Sequence, residues 1–393
     1  MKKTVFLLIF FATINSSFSQ NKSLWEFKTK GRIYSSPLID KDYLYFGSGD
    51  SYFYALNKKD GKLSWKFASG GAIYSSPAIS DENIYFSSDD GLLYALDKNT
   101  GKQKFAFKSG GEKQYDLWDY YRSSPVLVNQ TLYWACGDSN VYAINASTGA
   151  LKWSFRTDGI VHASPAFFNG TIYIGGFDGY FYALNAMDGK LIWKYNTIGD
   201  TYFPKGEVQK EALINDSIVY FGTRDFNIYA LNAKTGNGMW NMKELHGWII
   251  ATPLEFKGNL YYGLSDGHKF YCQDKKTGFM KWEKQLNMRV YGSAIEHNGL
   301  IYFGCFNGIV YGVDFQTGET KWSFNTAASI KNYYSVYNEK DEFRADFELY
   351  GKDYLKSEEK IHSLGSILCT PVIDDDIIYF GNSDGILYAV SIN

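Results

Sequence analysis

The stretch IYSSPAISDENIYFSSDDGLLYALDKNTGKQKF, residues 73–105, is a near copy of IYSSPLIDKDYLYFGSGDSYFYALNKKDGKLSW, residues 33–65. Each copy divides into four short runs of β-branched and aromatic residues, for example SSPAI, NIYFSS, LLYALD and QKFAFK, separated by turn sequences such as DDG and NTGK. With the SSP proline as origin, the pattern recurs eight times, at Pro37, Pro77, Pro125, Pro165, Ala212, Pro253, Ala294 and Pro371. The step from the YAL-type tyrosine to the next large aromatic is 11 residues in every complete unit, as from Tyr54 to Trp65 or from Tyr182 to Trp193. One four-stranded sheet cannot bury both of its faces alone, so a period near 40 residues with four strands per unit means that neighbouring units cover one another. The pattern predicts an all-β chain, an eight-bladed β-propeller of four-stranded antiparallel blades.

The eighth unit stops at Asn393 without an aromatic fourth strand, and the missing piece stands at the other end of the chain as SLWEFK, residues 23–28. Trp25 precedes Pro37 by 12 residues, the interval that separates Trp65 from Pro77. The N-terminal strand is therefore expected to close the last blade and remove the open edges of the ring. Ahead of it, Lys2 and Lys3, the apolar run TVFLLIFFATI and the small residues of NSSFSQ read as a secretory signal peptide over residues 1–19. The expectation is one propeller over residues 20–393, periplasmic or secreted, with no membrane anchor. A formal charge of −2 argues against a general nucleic-acid role. Cys136, Cys272, Cys305 and Cys369 are far apart and read as small core residues, without metal-type spacing.

The repeat is irregular in one place only. From the fourth-strand aromatic to the next origin the intervals are 12, 12, 20, 12, 19, 13, 12 and 49 residues, counted from Trp25 onward. In an antiparallel blade this segment lies on the same face as the hairpin between the second and third strands, so every insertion decorates one mouth of the central channel. Loops on one face of a rigid scaffold are where binding or chemistry usually resides. The longest, residues 328–365, reads as one or two short helices and as a lid. Just before the origins stand Tyr34, Tyr74, Arg122, His162 and Tyr291; nearby are Arg32, Tyr120, Tyr121, Lys210, Trp248 and Arg289. Basic groups converging with aromatics point to an anionic ligand at that mouth. The hairpin acids Asp50, Asp90, Asp138, Asp178, Asp225, Asp266 and Asp384, with Asn307, share one register and read as turn residues, not calcium ligands.

The YALN…DGKLIW and YALD…TGK segments resemble the pyrroloquinoline-quinone-like propeller repeats of quinoprotein dehydrogenases and of the BamB outer-membrane assembly lipoproteins. The resemblance spans residues 22–393 and implies that Trp65, Trp153, Trp193 and their equivalents dock one blade on the next. Pyrroloquinoline quinone enters only through this resemblance; no cofactor or metal is expected from the residues themselves, and the vicinal cysteine pair of the dehydrogenases is missing. Three functions follow as expectations. The first is β-elimination on a uronate-containing saccharide, by a lyase or dehydratase, with His162 or Tyr74 as general base and Arg122 neutralising the substrate carboxylate. Arg32, Tyr34, Tyr120, Tyr121, Lys210, Trp248, Arg289 and Tyr291 would bind that anionic oligosaccharide. The second is a non-catalytic scaffold for envelope protein assembly with an outer-membrane protein partner, and the third is a quinone-dependent dehydrogenase.

Overall fold

A computed structural model describes residues 22–393; the expected signal peptide lies outside the described residues. Eight four-stranded antiparallel sheets form a closed ring, as the repeat predicts. Blade 1 runs from the inside outward as Leu38–Asp40, Tyr43–Gly47, Tyr52–Asn57 and Leu63–Ala68. Its register places Tyr45 opposite Ala55 and Ala55 opposite Trp65. The two middle strands are covered on both faces by adjacent blades, which is why YLYFG and YFYALN read as nearly unbroken apolar runs. The outermost strand meets solvent on one side and alternates accordingly. Stacked rings such as Phe53 on Phe86, 4.1 Å between centroids, and Phe270 on Phe303, 3.8 Å, tie neighbouring blades through their middle strands.

The invariant fourth-strand aromatic is the blade-to-blade joint. Trp65 Nε1 donates to the Lys98 carbonyl of the next blade at 3.1 Å, and Trp25, Trp153, Trp193, Trp240 and Trp282 make the same contact at 2.9–3.1 Å. The indole lies flat against the glycine of the next blade's TG or DG turn. Gly101 has φ +69°, and a Cβ there would come 2.5 Å from the Trp65 ring, so the turn conformation and the docked indole both demand glycine. Phe105 packs on Gly149 in the same way but has no N–H to donate, and Trp322 faces a blade that ends in the C-terminus instead of such a turn, so its buried Nε1 has no partner among the described residues.

The SSP motif is the joint at the inner rim. The second serine accepts from the backbone of the preceding blade: Thr370 N to Ser36 Oγ, Ser36 N to Ser76 Oγ, Ser76 N to Ser124 Oγ and Ser124 N to Ser164 Oγ, all at 2.8–3.0 Å. Asp50, Asp90, Asp138, Asp178 and Asp225 act as turn residues and as a third joint, whereas Asp266 accepts from Arg289 and the Tyr350 hydroxyl. Asp50 accepts from Tyr52 N at 3.1 Å within its turn, from the Tyr54 hydroxyl at 2.8 Å and from Lys30 N of the preceding crossover at 2.9 Å. The four cysteines are buried and free.

Residues Ser23–Lys28 pair antiparallel with Ile386–Ser391 and complete the eighth blade. The long insertion is ordered, with helix α1 at Ala327–Asn332 and helix α2 at Tyr354–His362. Its Val336, Tyr337, Phe347, Leu349, Ile361 and Leu364 join Tyr34, Tyr120, Tyr291 and Leu368 in one apolar cluster over the channel. No helix among the described residues is long and apolar enough to cross a membrane.

Deleting residues 22–30 removes half-buried Trp25 and Phe27 and leaves the edge of Ile386–Ser391 unpaired. Aromatic burial of this extent is worth on the order of 5 kcal/mol for the pair. We expect denaturant unfolding of the truncated protein to lose its single cooperative transition; an unchanged midpoint would show that this strand does not close the ring.

Candidate functional site

The crossovers bring the residues leading into the innermost strands around the channel axis. Tyr34, Tyr74, Tyr121, Arg122, His162 and Lys210 line a cavity of about 330 Å³ together with Glu211 and the rim hydroxyls of Ser36, Ser76, Ser124 and Ser164. Two further cavities, of about 420 and 320 Å³, share Ser36 and Ser76 or Glu211 and Thr370 with it and reach the innermost strands at Val372–Asp374 and Leu254–Glu255. They are segments of one channel leading away from the insertions.

Above this cavity the insertions close the channel. Residues 112–121 cross the axis, and the Tyr121 hydroxyl donates to the Leu368 carbonyl on the far side at 2.9 Å. The centre of the plug is Glu358 on α2. Its carboxylate accepts from Arg289 Nη1 at 2.7 and 3.0 Å, from Trp118 Nε1 at 3.2 Å and from the Tyr120 hydroxyl at 3.3 Å. One buried acid thus joins two insertions to the scaffold. Arg289 also donates to Asp266 at 3.1 Å and to the Tyr350 hydroxyl at 2.8 Å. His362, on the same helix, packs among Tyr34, Tyr120 and Phe306, with no partner on either nitrogen among the described residues. Burial, reinforced by Arg32 and Arg289, lowers its pKa to about 3, so it is neutral.

Two further arginines are occupied in the same way. Arg122 Nε donates to Asp89 at 2.8 Å, and its Nη1 lies 3.8 Å from Asp119. Arg224, absent from the sequence-based set, is buried, stacks on Trp248 at 4.4 Å and pairs with Asp116 at 2.5 and 3.1 Å. Glu112, Asp116 and Asp119 all come from one insertion. His162 is held on both sides, Nδ1 by Asp119 at 2.9 Å and Nε2 by Glu112 at 2.7 Å. Burial disfavours its charge, but Asp119 and Glu112 outweigh burial and bring its pKa to about 9. Burial likewise works against the charge on both of these acids, and the imidazolium with Arg122 holds them below their ordinary range. Tyr34 and Tyr74 move upward, because burial outweighs the arginines expected to depress them.

The sequence-chosen residues therefore fall into two groups. Tyr34, Tyr74, Tyr121, Arg122, His162 and Lys210 face the channel cavity. Tyr120, Trp248, Arg289 and Tyr291 belong to the plug, and Arg32 stands behind Tyr34, donating to its hydroxyl at 3.2 Å. Trp248 and Tyr291, with Trp118, Phe203, Phe226 and Tyr350, line a separate apolar slot of about 300 Å³ on the insertion face. Sequence reasoning missed Glu112, Asp119, Glu358 and His362. The available signal was that the insertions, rich in acids, face a ring rich in arginines.

His162 carries a raised folded-state pKa against an ordinary 6.5, so its contribution to stability is complete below about pH 6.5 and is lost as pH rises through about 9. Glu112 and Asp119 are lowered and lose theirs as pH falls through the acid range. For His162 the span is on the order of 3 kcal/mol. Melting temperature followed from pH 6 to 10 is expected to fall in the wild type and to be nearly flat for His162→Gln, itself destabilised at pH 6.

No curated protein matches the sequence. The family model described as outer membrane protein assembly factor BamB matches residues 13–154, 117–244 and 224–338. Among solved structures, BamB from Moraxella catarrhalis aligns with a TM-score of 0.71 at 14% identity, over 95% of this chain and 100% of its own. A europium-containing methanol dehydrogenase aligns at 0.70 and 14%, over 94% and 93%. The quinohemoprotein alcohol dehydrogenase from Comamonas testosteroni aligns at 0.70 and 11%, over 94% and 76%. At these identities the structural likeness establishes the fold alone. It is the family match, running through successive repeats of a ring closed by its own N-terminal strand, that places this chain in the outer membrane protein assembly factor BamB family.

Proposed function

We propose that this propeller is a non-catalytic assembly factor of the cell envelope, exported by the N-terminal segment read as a signal peptide, and that it holds a protein partner on its insertion face. The observation that supports this is the surface around the apolar slot. Tyr202, next to Phe203 of the slot, is 81% exposed; Leu245, next to His246 on its rim, is 76% exposed; Tyr350 and Leu355 are each 55% exposed. Tyr354 lies against Trp118 with centroids 6.2 Å apart. Aromatic and aliphatic side chains presented around a concave apolar floor, on a rigid support, are the usual anchors of a protein interface. In this reading the 328–365 segment is a fixed part of the docking face, fastened by Glu358, and not a moving lid.

The elimination reading draws less support from the geometry. A general base must offer a free lone pair, whereas His162 donates from both nitrogens and keeps its proton up to about pH 9. Arg122 already neutralises Asp89. For the quinone reading, the four cysteines are separate and buried, and no group of three or more His, Cys, Asp or Glu among the described residues is disposed to hold a metal. These residues do not offer the vicinal cysteine pair that the resemblance implies beside the quinone, and the proposed function does not use that cofactor.

The test is complementation. Cells lacking the gene should contain less outer-membrane β-barrel protein, and the wild-type chain should restore it. Tyr202→Ser, Leu245→Ser and Leu355→Ser combined should fail to restore it while melting like the wild type, since loss of about 1 kcal/mol per anchor weakens binding roughly 100-fold. Met187→Ser with Phe279→Ser, exposed on turns of the opposite face, should restore it fully. Full rescue by the triple variant, or release of unsaturated uronate products by the purified wild type, would overturn the proposal.

A further inference from the structure

The fifth blade departs from the repeat at the one place where all the others agree. The two residues before the origin are Ser35 and Ser36, Ser75 and Ser76, Ser123 and Ser124, Ala163 and Ser164, Ala251 and Thr252, Gly292 and Ser293, and Cys369 and Thr370. In the fifth unit they are Lys210 and Glu211. The backbone confirms the equivalence: Arg224 N bonds to the Glu207 carbonyl as Gly49 N bonds to that of Arg32, which puts Lys210 at the place of Ser35. The substitution gives up a serine joint at the inner rim and sets two opposite charges in the channel.

Neither charge meets an opposite charge or a hydrogen-bond partner among the described residues. The Lys210 ammonium lies over the Tyr121 ring, 4.4 Å from its centroid, and makes no hydrogen bond or ion pair with any described residue. The Glu211 side chain also has no partner among the described residues, and only its backbone carbonyl is engaged, by Thr252 Oγ at 2.9 Å. The two are not within ion-pair distance of each other. Both line the 330 Å³ cavity. Charged groups held in a confined space at a cost in solvation call for charged partners. Burial lowers the Lys210 pKa, with Glu211 opposing it, which is the state an incoming carboxylate would relieve.

We infer that the channel contains a binding site for a small zwitterion of the α-amino-acid type, its carboxylate on Lys210 and its ammonium group on Glu211. The Tyr74 hydroxyl, on the same cavity and without a partner among the described residues, and the Tyr34 hydroxyl, which accepts from Arg32 and keeps its own proton to donate, add neutral donors to the cavity wall. The cavity volume suits a ligand of this size. Entry is from the face opposite the insertions, because the plug closes the other mouth. This site is separate from the docking face, so its failure leaves the proposed function untouched.

The experiment is calorimetric titration of the purified chain with each common α-amino acid in turn, with acetate and ethylamine as single-charge probes. At least one amino acid should bind, with acetate and ethylamine weaker by at least about thirtyfold, the loss expected when one buried charge pair is left unmade. Lys210→Met and Glu211→Gln should each weaken the amino acid by at least about tenfold. Lys210→Ser with Glu211→Ser restores the repeat, should melt no lower than the wild type and should not bind; if it melts lower, the two single variants carry the test. Binding of no amino acid, acetate binding as well as the amino acid, or undiminished binding in the variants would each overturn the inference.

Discussion

An indole laid against a glycine of the next blade is the contact on which the ring depends. Each blade has two faces to bury and no core of its own, so stability comes from interfaces repeated around the circle. The tryptophan covers the neighbour's turn, donates to its backbone and requires a residue without a side chain beneath it. The serine at the inner rim and the aspartate in the second hairpin repeat that logic at other radii, so blades such as the first and second are fastened at three distances from the axis. Trp322, facing the blade where the chain ends meet, shows what is given up when the turn is missing.

On this frame the insertions form a plug held by charge. Arg122, Arg224 and Arg289 project from the scaffold, and Asp119, Asp116 and Glu358 arrive from the insertions to meet them. A buried ion pair contributes little net stability over an apolar contact of the same shape, but breaking it strands a charge, so such pairs fix position well. Of the basic groups singled out in the sequence, Arg122 and Lys210 line the channel cavity, whereas Arg289 lies in the plug and Arg32 behind Tyr34. For Arg122, Arg224 and Arg289 the anions are supplied by the chain itself, and what faces outward is the apolar surface around Trp118 and Trp248.

The channel beneath the plug keeps the remaining polarity. Most of its rim is lined by small hydroxyl residues whose oxygens join blade to blade, and Lys210 and Glu211 stand out because they interrupt that pattern without serving it. In a repeat protein a local exception at a joint carries more information than a charged residue elsewhere, since seven other units show what the position is for.

The sequence by itself determined the fold. Periodicity and fixed intervals report local strand length and turn chemistry, and the same joint recurs in unit after unit, so Trp25 could be assigned to the last blade from spacing alone. It also placed Tyr34, Tyr74, Arg122, His162 and Lys210 around one axis, because equivalent positions in a closed ring must converge. Only the tertiary structure decided the state of those groups. Arg289 meets Glu358, and His162 meets Glu112, across separations in sequence that no repeat encodes. Insertions are aperiodic, and a pKa depends on distances of a few ångströms, so whether an arginine awaits a ligand or already holds an aspartate is settled only when the chain has folded over itself.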